Sequence, residues 1–459
     1  MTGLADPGSF RDPAGFVFRR DGVLYRQVNR SYAPTLDRLE QTGFLKELQR
    51  DGLLVAHEQL GAEQGTTPDA LAVFRPDAIP FISYPYEWCF GQLRDAAILT
   101  LEVQRRALDA GFILRDASAY NVQFVGGYPL FIDTLSFGIY ADGQPWQAYG
   151  QFCEHFLAPL ALMAVHDPRL AALQRSFADG VPLDVASRLL SAKTWLRPGL
   201  LLHIHAHARS RKQHAHDAAK QRDRKLPLAS LKRLIAHLRE TIEGLKLEPV
   251  GTTWAEYETE HNYAPDAAAE KLETVRGMLA AVKPSTVWDL GANTGVFSAA
   301  APDGAYVISI DGDHAAVERH YRRVRQVSRR ILPLVMDLGN PSPARGWAHA
   351  ERKSLAERGP ADALLALALI HHLVLGGGVP LRAVAKWLSG LGRFAIVEFV
   401  PPDDEQVLRL IAGRMEESHP YSENEFREAF AESFTLRQRH RVGNSGRELF
   451  LFEARRAAA

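Results

Sequence analysis

Asp289-Leu290-Gly291-Ala292-Asn293-Thr294-Gly295-Val296-Phe297-Ser298 is the stretch whose reading decides the fold. Thr286 to Leu290 has the length and apolar content of a buried strand, and the residues after the glycines read as a helix. Glycine lets the backbone turn sharply and approach a ligand, and a following helix offers free N–H groups. Alone, that succession equally describes a tight turn. The register downstream adds more. A second strand, Tyr306 to Ile310, ends in Asp311, 22 residues after Asp289. An acid there can accept hydrogen bonds from both hydroxyls of a ribose. A third strand, Ile331 to Met336, ends in Asp337. A fourth, Ala363 to Ile370, runs into His371 and His372, and a fifth, Phe394 to Val397, carries Glu398. Strands and helices alternating in this way make a parallel α/β sheet.

Three successive strands ending in carboxylates at one sheet edge form a cluster where open α/β sheets bind ligands. Carboxylates bind hydroxyls and amines and repel phosphates. A dinucleotide loop needs glycine at the second motif position for its pyrophosphate, and Asn293 stands there, so NAD is the weaker reading. No Lys-Ser or Lys-Thr follows the glycines, which removes a P-loop.

These motifs resemble those of the class I S-adenosylmethionine-dependent methyltransferases over roughly Trp254 to Glu453. Asp289, Gly291, Asn293 and Gly295 look like the family's first motif, with Asn293 replacing its usual middle glycine. Asp311 matches the ribose-binding acid, Asp337 the adenine-side residue, and the Ile370–Leu373 run the fourth motif at the methyl-transfer pocket. The resemblance implies a Rossmann-like sheet of seven strands closed by a reversed hairpin, here Phe434 to Arg437 and Glu448 to Phe452. It also implies S-adenosyl-L-methionine as cofactor. Methyl transfer from a sulfonium is an in-line displacement needing alignment and dryness, and in principle no metal. His371 and His372 are candidate catalytic bases, because imidazole titrates near neutrality, and Glu398 is a third. Each is equally readable as a packed strand-end or capping residue. Trp254, Tyr257 and Tyr263 could cover the donor or simply pack. An Asn/Asp-Pro-Pro-aromatic run is missing after the fourth strand, against the amino-methylating nucleic-acid branch.

The first half is a different kind of domain. Phe16 to Arg20 and Val23 to Val28 alternate about Asp21-Gly22, a two-residue hairpin signal. Pro34 suits a helix first turn, with Leu36, Leu39, Leu45 and Leu48 on one face. Leu53 to Ala56, Leu71 to Phe74 and Pro80 to Tyr84 read as further strands, and Leu93 to Asp109 as a helix. Asp116, Asn121 five residues on, and Asp133 after a Gly126-Gly127 hairpin lay out a base and two oxygen ligands for Mg²⁺-phosphate. A bare acid-to-amide spacing can also be an Asx-turn loop. The layout over about residues 15 to 202 resembles the protein-kinase-like and aminoglycoside-phosphotransferase-like superfamily. That implies an α+β two-lobed domain with Phe81 to Trp88 as hinge, and ATP and Mg²⁺ as ligands. Leu114 replaces the motif histidine, Thr134-Leu135 follows Asp133, Arg26 stands at the strand lysine, and no glycine-rich phosphate loop precedes the hairpin. A degenerate module that binds a substrate or nucleotide fits these departures.

Between them, His203 to Lys225 carries seven Lys/Arg, two Asp and five His. It could be a metal-binding or phosphate-binding tract, and reads best as a solvated basic connector. Leu231, Leu234, Ile235, Leu238, Ile242 and Leu245 then form a stripe that must pack against something. The expected organisation is a kinase-like domain over 1–202, a basic, His-rich helical connector over 203–250 and a methyltransferase domain over 251–459. At 459 residues, 46% apolar and 24% charged, the chain is long enough for several folded domains and far from the composition of disorder. Lys plus Arg equals Asp plus Glu at 54 each, so a small-molecule, glycan or protein acceptor is favoured over a long nucleic acid. Two cysteines, no leader-like start and no long apolar run point to the cytoplasm. The whole chain resembles methyltransferases of the host-specific nodulation-protein type. The expected function is methyl transfer with the N-terminal domain selecting or regulating. The alternatives are a bifunctional kinase-methyltransferase acting on one acceptor and a non-catalytic ligand-sensing scaffold.

Overall fold

The computed structural model describes residues 4–213, 225–247, 265–327, 330–412, 419–443 and 445–455. The chain divides into two compact units, Met1–Glu248 with Gly346–Arg352, and Pro249–Arg345 with Lys353–Ala459. Trp254, Tyr257, Tyr263 and residues 214–224 of the basic stretch lie outside the described residues.

In the first unit, β1 (Leu4–Ala5), β2 (Gly15–Arg20), β3 (Val23–Asn29), β4 (His57–Leu60) and β5 (Ala70–Pro76) form a sheet in the order β1-β2-β3-β5-β4. Asp21 and Gly22 join β2 to β3 at φ 51° and 78°, the left-handed pair that a tight hairpin requires. The single helix expected after Pro34 is two, Ala33–Thr42 and Phe44–Arg50, because Gly43 between them is left-handed at φ 68°. Two expected strands are absent. Leu54 makes only an isolated bridge to Phe131, and pairing begins later, at β4. At Pro80 to Tyr84 the backbone of Ser83 is satisfied by one side chain. Its N–H donates to Gln123 Oε1 (2.9 Å) and its carbonyl accepts from Gln123 Nε2 (3.0 Å), so an amide replaces a neighbouring strand.

The buried helix Phe90–Asp109 follows, then β6 (Phe112–Leu114), the hairpin of β7 (Val122–Val125) and β8 (Tyr128–Phe131), and β9 (Phe137–Ile139) paired with β6. Trp88, Phe112, Phe124, Phe131 and Phe137 fill the core around them. Beyond β9 the unit is mostly helical. The described parts of the expected connector belong to this unit and are only partly solvated. His203 and His205 are buried, with His203 Nδ1 2.7 Å from Tyr149 Oη and its Nε2 2.8 Å from His237 Nδ1. The helix Leu228–Glu243 buries Leu231, Ile235, Leu238 and Ile242, and Lys232 pairs with Asp109 at 2.5 Å.

The second unit is an α/β fold. Its seven strands are β10 (Thr286–Leu290), β11 (Tyr306–Asp311), β12 (Ile331–Val335), β13 (Ala361–Ala366), β14 (Gly392–Phe399), β15 (Phe434–Arg441) and β16 (Glu448–Ala454). They lie in the order β12-β11-β10-β13-β14-β16-β15, and β16 runs antiparallel to both neighbours. The chain steps outward from β10 to β12, then returns to β13 on the other side. The topological switch therefore lies between β10 and β13, and a ligand crevice belongs at their carboxyl ends. Val287, Leu365, Ile396 and Leu451, buried between strands and helices, make this core.

Three local expectations change. The helix after the glycine turn is only the short turn Phe297–Ala300, which Pro302 stops. The apolar run from Ala363 does not continue as strand to Ile370. Strand β13 ends at Ala366, Ala368 adopts φ 49°, and His371 and His372 open the wide helical turn that includes His372–Gly376. Glu398 lies within β14 rather than beyond it.

Candidate functional site

The loop after β10 is built by backbone conformation. Gly291 and Gly295 both sit at φ 78° and Asn293 at φ 49°. Asparagine is among the few residues that tolerate this left-handed region, so its place at the middle motif position leaves the turn intact. A Cβ on Gly295 would overlap the buried ring of His320 from the helix His314–Val327, so this glycine serves packing as well as φ. Arg323, one turn on, donates to the Thr294 carbonyl.

Asp311 meets this loop at the sheet edge. Its Oδ2 accepts the Asn293 N–H at 2.7 Å and its Oδ1 accepts the Asp313 N–H at 2.8 Å. Burial pushes its carboxyl pKa upward, while the N–H donors pull the other way. Asp337 follows the neighbouring strand, where Asp311 pairs in register with Val335. It is exposed, accepts the Gly339 N–H at 2.8 Å, and its Cα is 3.8 Å from where a Cβ on Gly312 would stand. Asp289 is enclosed beneath the loop, accepting from Ser298 Oγ at 2.6 Å, and Ser298 Oγ lies 2.7 Å from Ser309 Oγ. Burial raises its pKa to about 7. Asp289 therefore clamps loop to sheet, and the acids that reach the edge are Asp311 and Asp337.

The rings of His371 and His372 lie 4.2 Å apart, tilted by 38°, beside the switch point. His371 is 2% exposed, and its Nδ1 has no hydrogen-bond partner among the described residues. Burial lowers its pKa to about 3, so the ring is neutral near pH 7. Glu398 is not a free base. It is fully buried and paired with Lys271 of the helix Pro265–Val282 at 2.6 Å. Arg447 lies 4.0 Å from Glu398 and holds Asp404 through two bonds, at 2.7 and 2.9 Å. Sequence reading missed Lys271, Arg447, Asp404 and His320. A signal existed for Lys271, which lies four residues before buried Val275 on the helix's apolar stripe.

In the first unit Asn121 and Asp133 meet on Ser136, while the Asp116 carboxylate accepts the Ser118 N–H at 2.8 Å. Asn121 Nδ2 donates to Ser136 Oγ at 3.3 Å, and Ser136 Oγ donates to Asp133 Oδ2. Burial raises the pKa of Asp116, and the nearby Asp133 charge adds to that. Asp133 Oδ1 is paired with Arg26 at 2.6 Å and also accepts the Leu135 N–H at 3.1 Å. Both its oxygens thus have protein partners, one a permanently charged guanidinium. Arranged so, these residues do not fit Mg²⁺, which requires open oxygen ligands in near-octahedral geometry. Among the described residues no group of three or more His, Cys, Asp or Glu could hold a metal ion, and no helix is long and apolar enough to cross a membrane.

Strand order and the reversed β16 make the second unit methyltransferase-like in fold. No family model matches the chain. Nodulation protein NoeA of Rhizobium meliloti (strain 1021) is 37% identical over 456 residues, covering 97% of this chain and 95% of that protein. The chain belongs to the family of nodulation protein NoeA. Among solved structures, the N-methyltransferase NodS from Bradyrhizobium japonicum WM9 with S-adenosyl-L-homocysteine is 15% identical over 42% of this chain and 90% of its own, with a TM-score of 0.32. Magnesium protoporphyrin IX methyltransferase (ChlM) from Synechocystis PCC 6803 is 18% identical over 41% of this chain and 84% of its own, with a TM-score of 0.31.

Proposed function

We propose that the second unit transfers a methyl group from S-adenosylmethionine to an oxygen or nitrogen of a small-molecule, glycan or protein acceptor, and that the first unit selects this acceptor. The observation that carries the reading is Asp311, fixed to the left-handed loop by the Asn293 N–H at 2.7 Å. Its Oδ2 takes the Asn293 N–H and its Oδ1 the Asp313 N–H, and carboxylate lone pairs remain for a ribose diol. Phe297–Ala300 is a single short turn, so the extended helix N-terminus that suits a pyrophosphate is missing, which favours a nucleoside without phosphates. Asp337 is the neighbouring group for an adenine amine.

When bound, the sulfonium supplies the methyl group as an electrophile. The chain's own part is to bind, align and exclude water. His371, neutral and buried, accepts a hydrogen bond at Nδ1 from the acceptor's O–H or N–H and so orients its nucleophilic atom. The first unit acts here by binding rather than phosphoryl transfer, a reading supported by the pairing of Asp133 with Arg26.

Titration calorimetry with S-adenosylhomocysteine tests the reading: the wild type gives binding heats and Asp311→Ala abolishes them, whereas unchanged heats in the variant would overturn it. Incubation with labelled donor and a metabolite extract, followed by mass spectrometry, then identifies the acceptor.

A further inference from the structure

The first unit exposes four leucines within one short stretch: Leu189 at 47%, Leu196 at 86%, Leu201 at 38% and Leu202 at 49%. Single apolar side chains scattered on a surface are ordinary, but these are not scattered. They stand on the helix Leu183–Leu189, the turn Ala192–Leu196 and the turn Leu201–Ala206. One buried imidazole stitches all three segments together. His205 Nδ1 lies 2.8 Å from Ser187 Oγ, its Nε2 lies 2.9 Å from Thr194 Oγ1, and its ring stacks on Trp195 at 4.2 Å. The Arg209 guanidinium lies 4.4 Å over the Trp195 ring.

Along the chain from Arg188 to Lys212 the charge has one sign. Between Asp184 and Asp217 the sequence holds six Lys/Arg and no Asp or Glu. Arg188 turns back to Asp184 at 3.0 Å, whereas Lys193 and Arg197 are exposed and make no ion pair among the described residues.

We propose that this face docks the protein on an anionic bilayer surface, with Leu189, Leu196, Leu201 and Leu202 entering the headgroup boundary and Lys193 and Arg197 meeting lipid phosphates. Leucines beside basic groups are the composition of an interfacial segment, in which apolar insertion and electrostatic attraction are each marginal alone and adequate together. A protein partner would call for aromatic anchors, and the patch's one tryptophan is held by His205 and Arg209. Nucleic acid would use the basic groups and leave the leucines in water.

The test is cosedimentation of the full chain with vesicles of phosphatidylcholine alone or mixed with phosphatidylglycerol. The wild type pellets with the mixed vesicles and stays in solution with the neutral ones. Lys193→Glu/Arg197→Glu weakens binding about tenfold or more. Leu196→Glu/Leu202→Glu loses it at the same salt concentration. These positions are exposed, and circular dichroism melts matching the wild type show that both variants fold. No binding to mixed vesicles, or binding unchanged in the leucine variant, overturns the proposal. So does a wild-type dimer in sedimentation velocity that Leu196→Glu dissolves, which would assign the patch to a second copy.

Discussion

Asn293 shows how one residue can depart from a motif and preserve its geometry. At φ 49° it meets the requirement that glycine would meet, and its N–H still reaches Asp311. Asn293→Gly is therefore expected to keep stability to within about 1 kcal/mol, since glycine reaches the same φ and adds only chain entropy to the unfolded state. Asn293→Val forces a β-branched residue into the left-handed region and is expected to lose about 1–2 kcal/mol in urea unfolding. Equal midpoints for the two variants would show that backbone conformation is not what this position constrains. Ala368 occupies the same region at φ 49° without asparagine's local hydrogen bonding, and it sits at the end of β13 where the chain turns toward His371. Backbone strain of this kind gathers at functional positions. At this scale position was readable from residue type and strand pattern, as with Asp311, which stands at the end of its strand beside the glycine loop. It was unreadable at Ala368, since nothing in alanine announces a left-handed turn. Asp289 and Glu398 were legible as acids but not in their roles, because what encloses each of them comes from distant parts of the chain.

Elements were legible where periodicity and turn chemistry agreed. The Asp21-Gly22 hairpin and strands β10 to β12 lie within a residue or so of their expected places. The failures share a cause. Gly43 splits a helix whose leucine spacing looked continuous, Gln123 satisfies Ser83 in place of a strand, and Ala368 cuts an apolar run. In each, one residue's geometry overrode a pattern spread over many. The helix Pro265–Val282 poses the opposite case, since its pattern placed Lys271 on the buried face without saying what would neutralise it. Lys271 and Glu398 are 4% and 0% exposed in their side chains, and Arg447, the nearest other cation, is already held by Asp404. Lys271→Met leaves a buried carboxylate without its principal partner and is expected to destabilise the second unit by about 3–5 kcal/mol. The double variant Lys271→Met/Glu398→Leu should recover most of that, because an apolar pair removes the desolvation penalty from both sides. A double-mutant cycle by urea unfolding measures the coupling. Simple additivity of the two single changes would mean that the pair contributes no coupling.

Across the whole molecule, burial of neutral histidines sets the response to acid. His155 and His203 in the first unit have pKa values lowered to about 4, and His320 and His371 in the second to about 3, all chiefly by burial. Each binds a proton in the unfolded chain below pH 6.5 that it refuses when folded. The stability this represents is complete above pH 6.5 and is lost progressively as pH falls toward 4 or 3. Asp289 has the opposite sign. Its folded pKa of about 7 exceeds the unfolded value of 3.8, so its contribution is complete below 3.8 and fades as pH rises through 7. Each group contributes about 1.4 kcal/mol per pH unit across its window, and the raised carboxyls, Asp116 in the first unit and Asp289 and Asp311 in the second, oppose the histidines of their own unit. The first unit should therefore be more stable at pH 6.5 than at pH 5, and in the second Asp289→Asn, which removes an opposing proton, should enlarge the same gain. Urea unfolding followed at the two pH values, with Trp88 reporting on the first unit and Trp288 on the second in single-tryptophan variants, separates the transitions. A gain in the second unit unchanged by Asp289→Asn would show that Asp289 is ionised inside the fold, and a fall in the first unit's stability from pH 5 to 6.5 would show that the buried histidines do not govern the acid response.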